Sequence, residues 1–183
     1  MKSILLSIKP KYVALIASGK KTIEVRKTAP KEVPFKCYIY MTQGTYKDLG
    51  LYSEGIYQNR MKVIGEFICD KVERFTVGSL RSDDIEKLAC LSYNEMISYF
   101  YKPEELDGKT VKQGFAWHIS DLKIYDKPKE LSEFYRICKN PCKPSNGGIL
   151  CVTTKSLKMN GCDGKIPLTR PPQSYMFVEE VEQ

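Results

Sequence analysis

From Ile4 to Arg26 the chain reads as strand, single short helix, strand, and this order narrows the choice of fold more than any other feature. Ile4-Leu5-Leu6-Ser7-Ile8 is an apolar run of strand length. Pro10 suits the first position of a helix, where its missing N–H is no loss, and Gly19 suits the position just past the end. Between them Val13, Ile16 and Ala17 fall on one helical face. The next strand, Thr22-Ile23-Glu24-Val25-Arg26, alternates: Ile23 and Val25 are expected in the core, and Thr22, Glu24 and Arg26 on the opposite face.

Later segments extend the pattern. Phe35 to Met41 sets Cys37, Ile39 and Met41 against Tyr38 and Tyr40, and Val63 to Cys69 is apolar on both parities, as a strand covered on both faces would be. Residues 83–101 read as helical, with a capping box at Ser92-Tyr93-Asn94-Glu95 and a stop at Pro103. Phe115 to Tyr125 reads as a strand with Phe115, Trp117 and Ile119 on one face. Pro128 is expected to open a short helix through Tyr135, and Tyr175 to Glu180 to form the closing strand. Residues 43–61, rich in Tyr and Gly, and residues 136–168, which contain Cys, read as insertions in a single domain spanning 1–183. Short strands with a few helices predict an α+β fold, a small β-barrel with flanking helices, rather than an alternating parallel sheet.

The net charge of +7 is concentrated. Residues 1–36 hold Lys2, Lys9, Lys11, Lys20, Lys21, Arg26, Lys27, Lys31 and Lys36 against Glu24 and Glu32, while the remainder balances. A field gathered in one fifth of the chain suggests a polyanionic partner. Lys20 and Lys21 supply point charges at the strand start, and Arg26 offers a planar fork suited to phosphate. Glu24 shares the Arg26 face, so it can hold the guanidinium or accept from a base amine. Tyr38 and Tyr40 are stacking candidates for bases if exposed beside that strand. A surface ion pair with strand-forming tyrosines is the plainer alternative. No apolar run approaches the roughly 20 residues needed to cross a bilayer. Lys9 and Lys11 also cut short the apolar start, so a cytoplasmic location without membrane contact is expected.

The run Ser7 to Arg26, SIKPKYVALIASGKKTIEVR, resembles the opening of ASCH domains within the PUA-like superfamily. That family's pattern, a strand ending near Lys-Pro, a short helix and then Gly-x-Lys-Thr-x-Glu-x-Arg, is met by Lys9, Pro10, Gly19, Lys21, Thr22, Glu24 and Arg26. Further resemblance lies at Gly65-Glu66-Phe67, at Trp117-His118-Ile119, from Lys127-Pro128 to Phe134, and at Arg170-Pro171-Pro172-Gln173-Ser174. The resemblance implies a small barrel with a cleft beside the Gly-Lys-Thr-Glu-Arg segment. It also implies an RNA- or nucleotide-binding role, with Lys9, Lys20, Lys21, Thr22, Glu24, Arg26, Tyr38, Tyr40, Arg170, Gln173 and Ser174 as candidate contacts.

Some small bacterial relatives are amidohydrolases that deacetylate acetylated cytidine, which makes such an enzyme the alternative, with Lys21, Glu24 and Glu66 as its candidate residues. In those relatives a lysine assists a threonine nucleophile at the position held here by Glu24. A carboxylate there would give a mixed anhydride in place of an ester, so binding without catalysis is preferred. A protein-interaction module using the Tyr-rich insertion is a third reading.

Seven cysteines form no even disulfide framework. Cys138, Cys142, Cys151 and Cys162 crowd into 25 residues, and a structural zinc site would explain how so Gly- and Pro-rich a loop folds. Cys151 could equally be a buried strand thiol. Cys37, Cys69 and Cys90 sit in apolar patterns and are expected in the core. His118, the lone histidine, has no second histidine for a relay and is expected in a hydrogen-bonded structural role.

Overall fold

A computed structural model describes residues 1–44, 58–79, 82–106, 108–138, 149–150, 157–158 and 164–180. The first strand, β1 (Lys2–Ile8), is followed by helix α1 (Pro10–Ala17), β2 (Ile23–Arg26), β3 (Phe35–Met41), β4 (Val63–Cys69) and β5 (Val72–Thr76). Helices α2 (Ser82–Ala89) and α3 (Tyr93–Phe100) come next, then β6 (Gln113–His118), β7 (Ser120–Lys129) and β8 (Phe134–Ile137). Short strands complete the chain: β9 (Ile149–Leu150), β10 (Leu157–Lys158), β11 (Lys165–Pro167), β12 (Tyr175–Phe177) and β13 (Glu179–Glu180).

The α+β class stands. The strands divide into a five-stranded sheet in the order β12-β1-β3-β4-β7, three-stranded sheets β2-β6-β5 and β11-β8-β13, and the ladder β10-β9. Among the described residues no closed barrel forms, because the β2-β6-β5 sheet packs on the larger one through side chains instead of joining it by ladder hydrogen bonds. No helix among them is long and apolar enough to cross a membrane.

β1 and β3 run parallel, with Leu5 beside Tyr38. A parallel pair needs a long crossover, and residues 9–34 supply it by carrying α1 and β2. The apolar run of β1 is buried on both faces. Ile4, Leu6 and Ile8 join Cys37, Ile39, Met41, Phe67 and Trp117 beneath Val13 and Ile16 of α1. Leu5 packs on the other face with Tyr38, Tyr40, Val63 and Phe134. A third cluster holds Ile23 and Val25 of β2 against Phe75, Ile85, Ala89, Met96 and Phe100. All four residues of β2 are buried, with Ile23 and Val25 in this third cluster.

Several expected elements resolve differently. The helical span 83–101 is two helices, broken at Cys90, which takes a left-handed φ of 51°. The capping box at Ser92 and Glu95 starts the second of them. The expected strand Phe115 to Tyr125 is two strands in different sheets: β6 pairs with β2 up to His118, and β7 joins β4 from Ser120. Ile119 alone separates them, and Asp121, the second residue of β7, takes a φ of 47°. Pro128 opens no helix, since β7 runs through Lys129, which pairs with Val63, and only a single 3-10 turn follows at Leu131–Glu133. The closing strand likewise divides at Val178, whose N–H bonds Ser3 O. β5 was not anticipated. The insertions at 43–61 and 136–168 lie largely outside the described residues.

Candidate functional site

Gly19 makes the first geometric step toward the site. With φ at 72° it ends α1 and donates its N–H to Ile16 O at 2.9 Å. The chain then folds back under the helix, and Lys21 N–H reaches Leu15 O at 3.0 Å. The Lys21 ammonium points inward and ends against the C-terminus of α2, donating to Ala89 O at 2.7 Å. Thr22 N–H bonds Leu88 O at 3.0 Å, so the end of α2 is stitched to this segment twice.

Three charged residues meet at the floor of a cleft of about 520 Å³. Lys21, Glu24 and Arg26 are 2 %, 7 % and 7 % exposed. One Glu24 oxygen takes Lys21 Nζ at 3.2 Å, and the other takes Arg26 Nη2 at 2.9 Å. Arg26 Nη2 also donates to Ser7 O on β1 at 2.7 Å, tying β2 to the larger sheet. Arg26 Nε is buried with no hydrogen-bond partner. Removing three charges from water is costly, and mutual pairing rarely repays it fully. Such a cluster is weak evidence of a device for stability and stronger evidence of a site.

The walls come from α1 and α3. Tyr12 stands over Lys21, whose Nζ lies 5.2 Å from the ring centroid. Opposite, Tyr99 sits against Arg26, and burial raises its phenol above the ordinary range while the guanidinium partly offsets that rise. Glu95 links the walls. It accepts from Lys11 Nζ at 2.7 Å and from Tyr12 Oη at 3.2 Å, while also closing the α3 capping box through Ser92. Burial pushes the Glu95 carboxyl up, but hydrogen bonds from Lys11 and from Ser92 outweigh it and hold it at about 2. Ser7, Lys9, Thr42, Leu91, Ser98 and Gln173 complete the rim.

Of the sequence candidates, Lys9, Lys21, Glu24, Arg26 and Gln173 line this cleft. Lys20, Thr22 and Arg170 are exposed outside its lining, and Ser174 contributes a backbone oxygen to Ser7 N–H at 3.3 Å. Tyr38 and Tyr40 are corrected: both are buried on the third-sheet side of β3, so neither is a stacking surface. Tyr38 packs edge-on against Phe134 at 4.8 Å, and the Tyr40 hydroxyl meets Met61 Sδ at 3.5 Å. Alternation placed both tyrosines on one face; that face is covered by Phe134, Leu168 and Val178, which lie far along the sequence.

Glu66 does not join Lys21 and Glu24. It accepts from Tyr125 Oη at 2.5 Å and faces Lys36 Nζ at 3.3 Å, away from the cleft. Among the described residues, the enzyme trio is therefore not assembled. His118 bonds Glu73 at 2.7 Å, Trp117 is fully buried, and Cys37 and Cys69 are core residues. Cys90 is only partly buried, with its thiol 3.4 Å from Lys20 O. Cys142, Cys151 and Cys162 lie outside the described residues, and Cys138 is buried at the end of β8. No group of three or more His, Cys, Asp or Glu among the described residues could hold a metal ion.

The positive N-terminal region is only partly compensated, by four carboxylates. Lys2 pairs with Glu32, Lys11 with Glu95, Lys36 with Glu66, and Lys21 and Arg26 with Glu24. Five of its nine cations thus face carboxylates. Tyr12, Glu95, Ser98 and Tyr99 were missed at the sequence level. The signal was present in α3: Met96 and Phe100 define the buried stripe, which leaves Glu95, Ser98 and Tyr99 on an adjacent one.

This is a small α+β chain whose opening strand–helix–strand unit builds the floor and one wall of a cleft. Residues 6–77 match the family model of the ASCH domain. The fold is shared with the crystal structure of an ASCH protein from Zymomonas mobilis, at a TM-score of 0.57 and 20% identity, over 97% of this chain and 88% of that one. A serine-to-alanine mutant of the same protein gives 0.55 and 18%, over 97% and 89%. A tyrosine-to-phenylalanine mutant gives 0.50 and 22%, over 72% and 77%. No curated protein matches the chain.

Proposed function

We propose that this chain binds RNA or a nucleotide-like ligand in the cleft floored by Lys21, Glu24 and Arg26. The observation that carries the reading is the burial of three ionisable side chains at the base of an open cavity of about 520 Å³. That volume falls in the range of small-molecule sites, roughly 300–1,000 Å³. Tyr12 and Tyr99 on the walls supply aromatic faces for a base, and the floor supplies fixed donors. ASCH domains, as PUA-like folds, are often linked to RNA binding, which agrees with this reading. Lys21 and Arg26 act from inside the fold, so they shape the floor and set its potential, while Lys9, Tyr12, Tyr99 and Gln173 meet the ligand.

A titration followed by amide NMR shifts tests this directly. Adding a short single-stranded oligoribonucleotide is expected to move the amide signals of Lys9, Tyr12, Tyr99 and Gln173. Shifts confined to the distant groove around Val33, Ile137 and Phe177, or none at all, would overturn the assignment.

A further inference from the structure

A second groove lies away from the cleft, and the ladder of β8 explains why it stands open. Its volume is about 1010 Å³, and Ser3, Val33, Arg136, Ile137, Met176 and Phe177 are among its lining. β8 carries β11 along one edge, with Ile137 opposite Lys165. On that edge Cys138 N–H bonds Gly164 O at 2.6 Å, and Leu168 N–H bonds Phe134 O at 2.9 Å. In an antiparallel ladder successive residues turn their backbone groups to opposite edges. Phe134, Arg136 and Cys138 therefore serve β11, while Tyr135 and Ile137 face the other way. On that other edge Glu179 of β13 takes Tyr135. The residue before it, Val178, turns instead to β1, where its N–H bonds Ser3 O at 3.0 Å. The N–H and C=O of Ile137 are thus left without a ladder partner among the described residues, beside the groove.

The surface around this free stretch is apolar. Val33, Ile137 and Phe177 are 46 %, 54 % and 50 % exposed, and all three line the groove. Gathered exposed apolar side chains mark interaction sites, and an unpaired strand edge is a template for another strand. The ionic groups indicate the charge that fits. Lys2 is answered by Glu32 at 2.8 Å, and Glu179 accepts from Tyr135 Oη at 2.9 Å. Arg136 is exposed and makes no ion pair among the described residues, so it is the cation left open to a partner. A nucleic acid strand could meet Arg136 but has no peptide ladder to offer Ile137, which favours a peptide.

We propose that this groove takes an extended acidic peptide segment of a protein partner. The segment pairs with Ile137 in the place that β13 leaves empty and sets a carboxylate against Arg136. The free stretch is short, so backbone bonds alone hold weakly and side chains supply the rest. Alternate side chains of the added strand meet the apolar lining. No residue is common to this groove and the cleft, so the inference stands or falls apart from what the cleft binds.

Fluorescence anisotropy with labelled peptides tests this on the full chain. The probes alternate Val and Thr, are blocked at both ends, and carry one Glu scanned through the Thr positions. A matched series carries Lys in its place. The best Glu peptide is expected to bind about tenfold or more tighter than its Lys counterpart, as a charge-assisted bond to arginine would give. Arg136→Glu should reverse that order. Lys20→Glu, the same charge change on an exposed residue outside the groove, should leave it intact. N-methylation of single peptide bonds in the best probe should abolish binding at alternate positions and spare it between them, because only every second N–H of an added strand faces β8.

Equal affinity for the Glu and Lys peptides, equal loss at every methylated position, or no binding by any probe overturns the proposal. Displacement of the peptide by a single-stranded oligoribonucleotide overturns it too, by giving the groove to nucleic acid. So does a dimer in sedimentation that Arg136→Glu disperses, which would make a second copy of this chain the occupant.

Discussion

At the scale of single residues, Glu24 is the centre of the site because it alone neutralises two buried cations. Glu24→Gln removes the charge but keeps the shape, leaving Lys21 and Arg26 to repel each other away from water. The expected loss is about 3–5 kcal/mol, the usual result of breaking a buried ion pair from one side. Urea denaturation measures it, with the exposed Thr22→Val as a comparison expected to stay within about 0.5 kcal/mol. For binding, Tyr12→Ala should weaken a single-stranded oligonucleotide by about 1–3 kcal/mol, the worth of one stacked base. Tyr38→Phe should leave that affinity unchanged in the same fluorescence assay, since Tyr38 is buried under Phe134. The sequence showed Lys21, Glu24 and Arg26 as one cluster because spacing of two and three along a strand start is local information. It could not show that Tyr38 is covered, because the cover comes from Phe134, Leu168 and Val178, 96 to 140 positions away.

Among elements, the contact between α1 and α3 determines how the cleft stands open. Glu95 serves both helices, capping α3 through Ser92 while holding Lys11 and Tyr12 of α1. Its carboxyl is held at about 2 against an ordinary value near 4.5, so its contribution to folding carries a definite sign. The folded form binds the proton less readily than the unfolded chain. The contribution is therefore complete above about pH 4.5 and is lost as pH falls toward 2. Glu95→Gln should melt about 2–4 °C below the parent at pH 7, in line with about 1 kcal/mol for a cap in a chain of this size. That gap should narrow steadily in thermal melts between pH 4.5 and 2.5, and a gap independent of pH would show that the carboxylate charge does not matter here. The helix start was legible because Ser92 and Glu95 form a local signature. The break at Cys90 and the division of the Phe115 to Tyr125 run were not, because each depends on which sheet or helix claims the next residue. In the second case β4 takes the chain from Ser120, and the one local mark of it in the sequence is the shift of apolar parity from Phe115, Trp117 and Ile119 to Leu122 and Ile124.

For the whole molecule, the two main sheets share no ladder among the described residues and are joined by side chains, among them Arg26, which bonds Ser7 O of β1. Trp117 is the principal apolar link. It stands on β6 of the smaller sheet, and its ring meets Phe35 of β3 and Tyr175 of β12 edge-on at 5.2 Å in each case. Two outcomes are open to such an architecture: the sheets unfold together, or the β2-β6-β5 sheet with α2 and α3 leaves first. The cleft floor decides between them, because Glu24 and Arg26 cannot leave the larger sheet without exposing a charge cluster that already spans the boundary. Cooperative unfolding is therefore expected. The chain has a single tryptophan, so its fluorescence reports on this boundary alone, whereas far-UV circular dichroism reports on all helices and strands. In a urea titration the two signals should give one midpoint and one slope, the criterion of a two-state transition. If the tryptophan signal changes at lower urea, the sheets are separate cooperative units and the floor of the cleft forms only when they dock. Repeating the titration with a bound nucleotide at 100 times its dissociation constant should raise the common stability by about 2.7 kcal/mol. Both signals must move together, since the ligand is expected to touch α1 and α3 at once and so to bridge the same boundary.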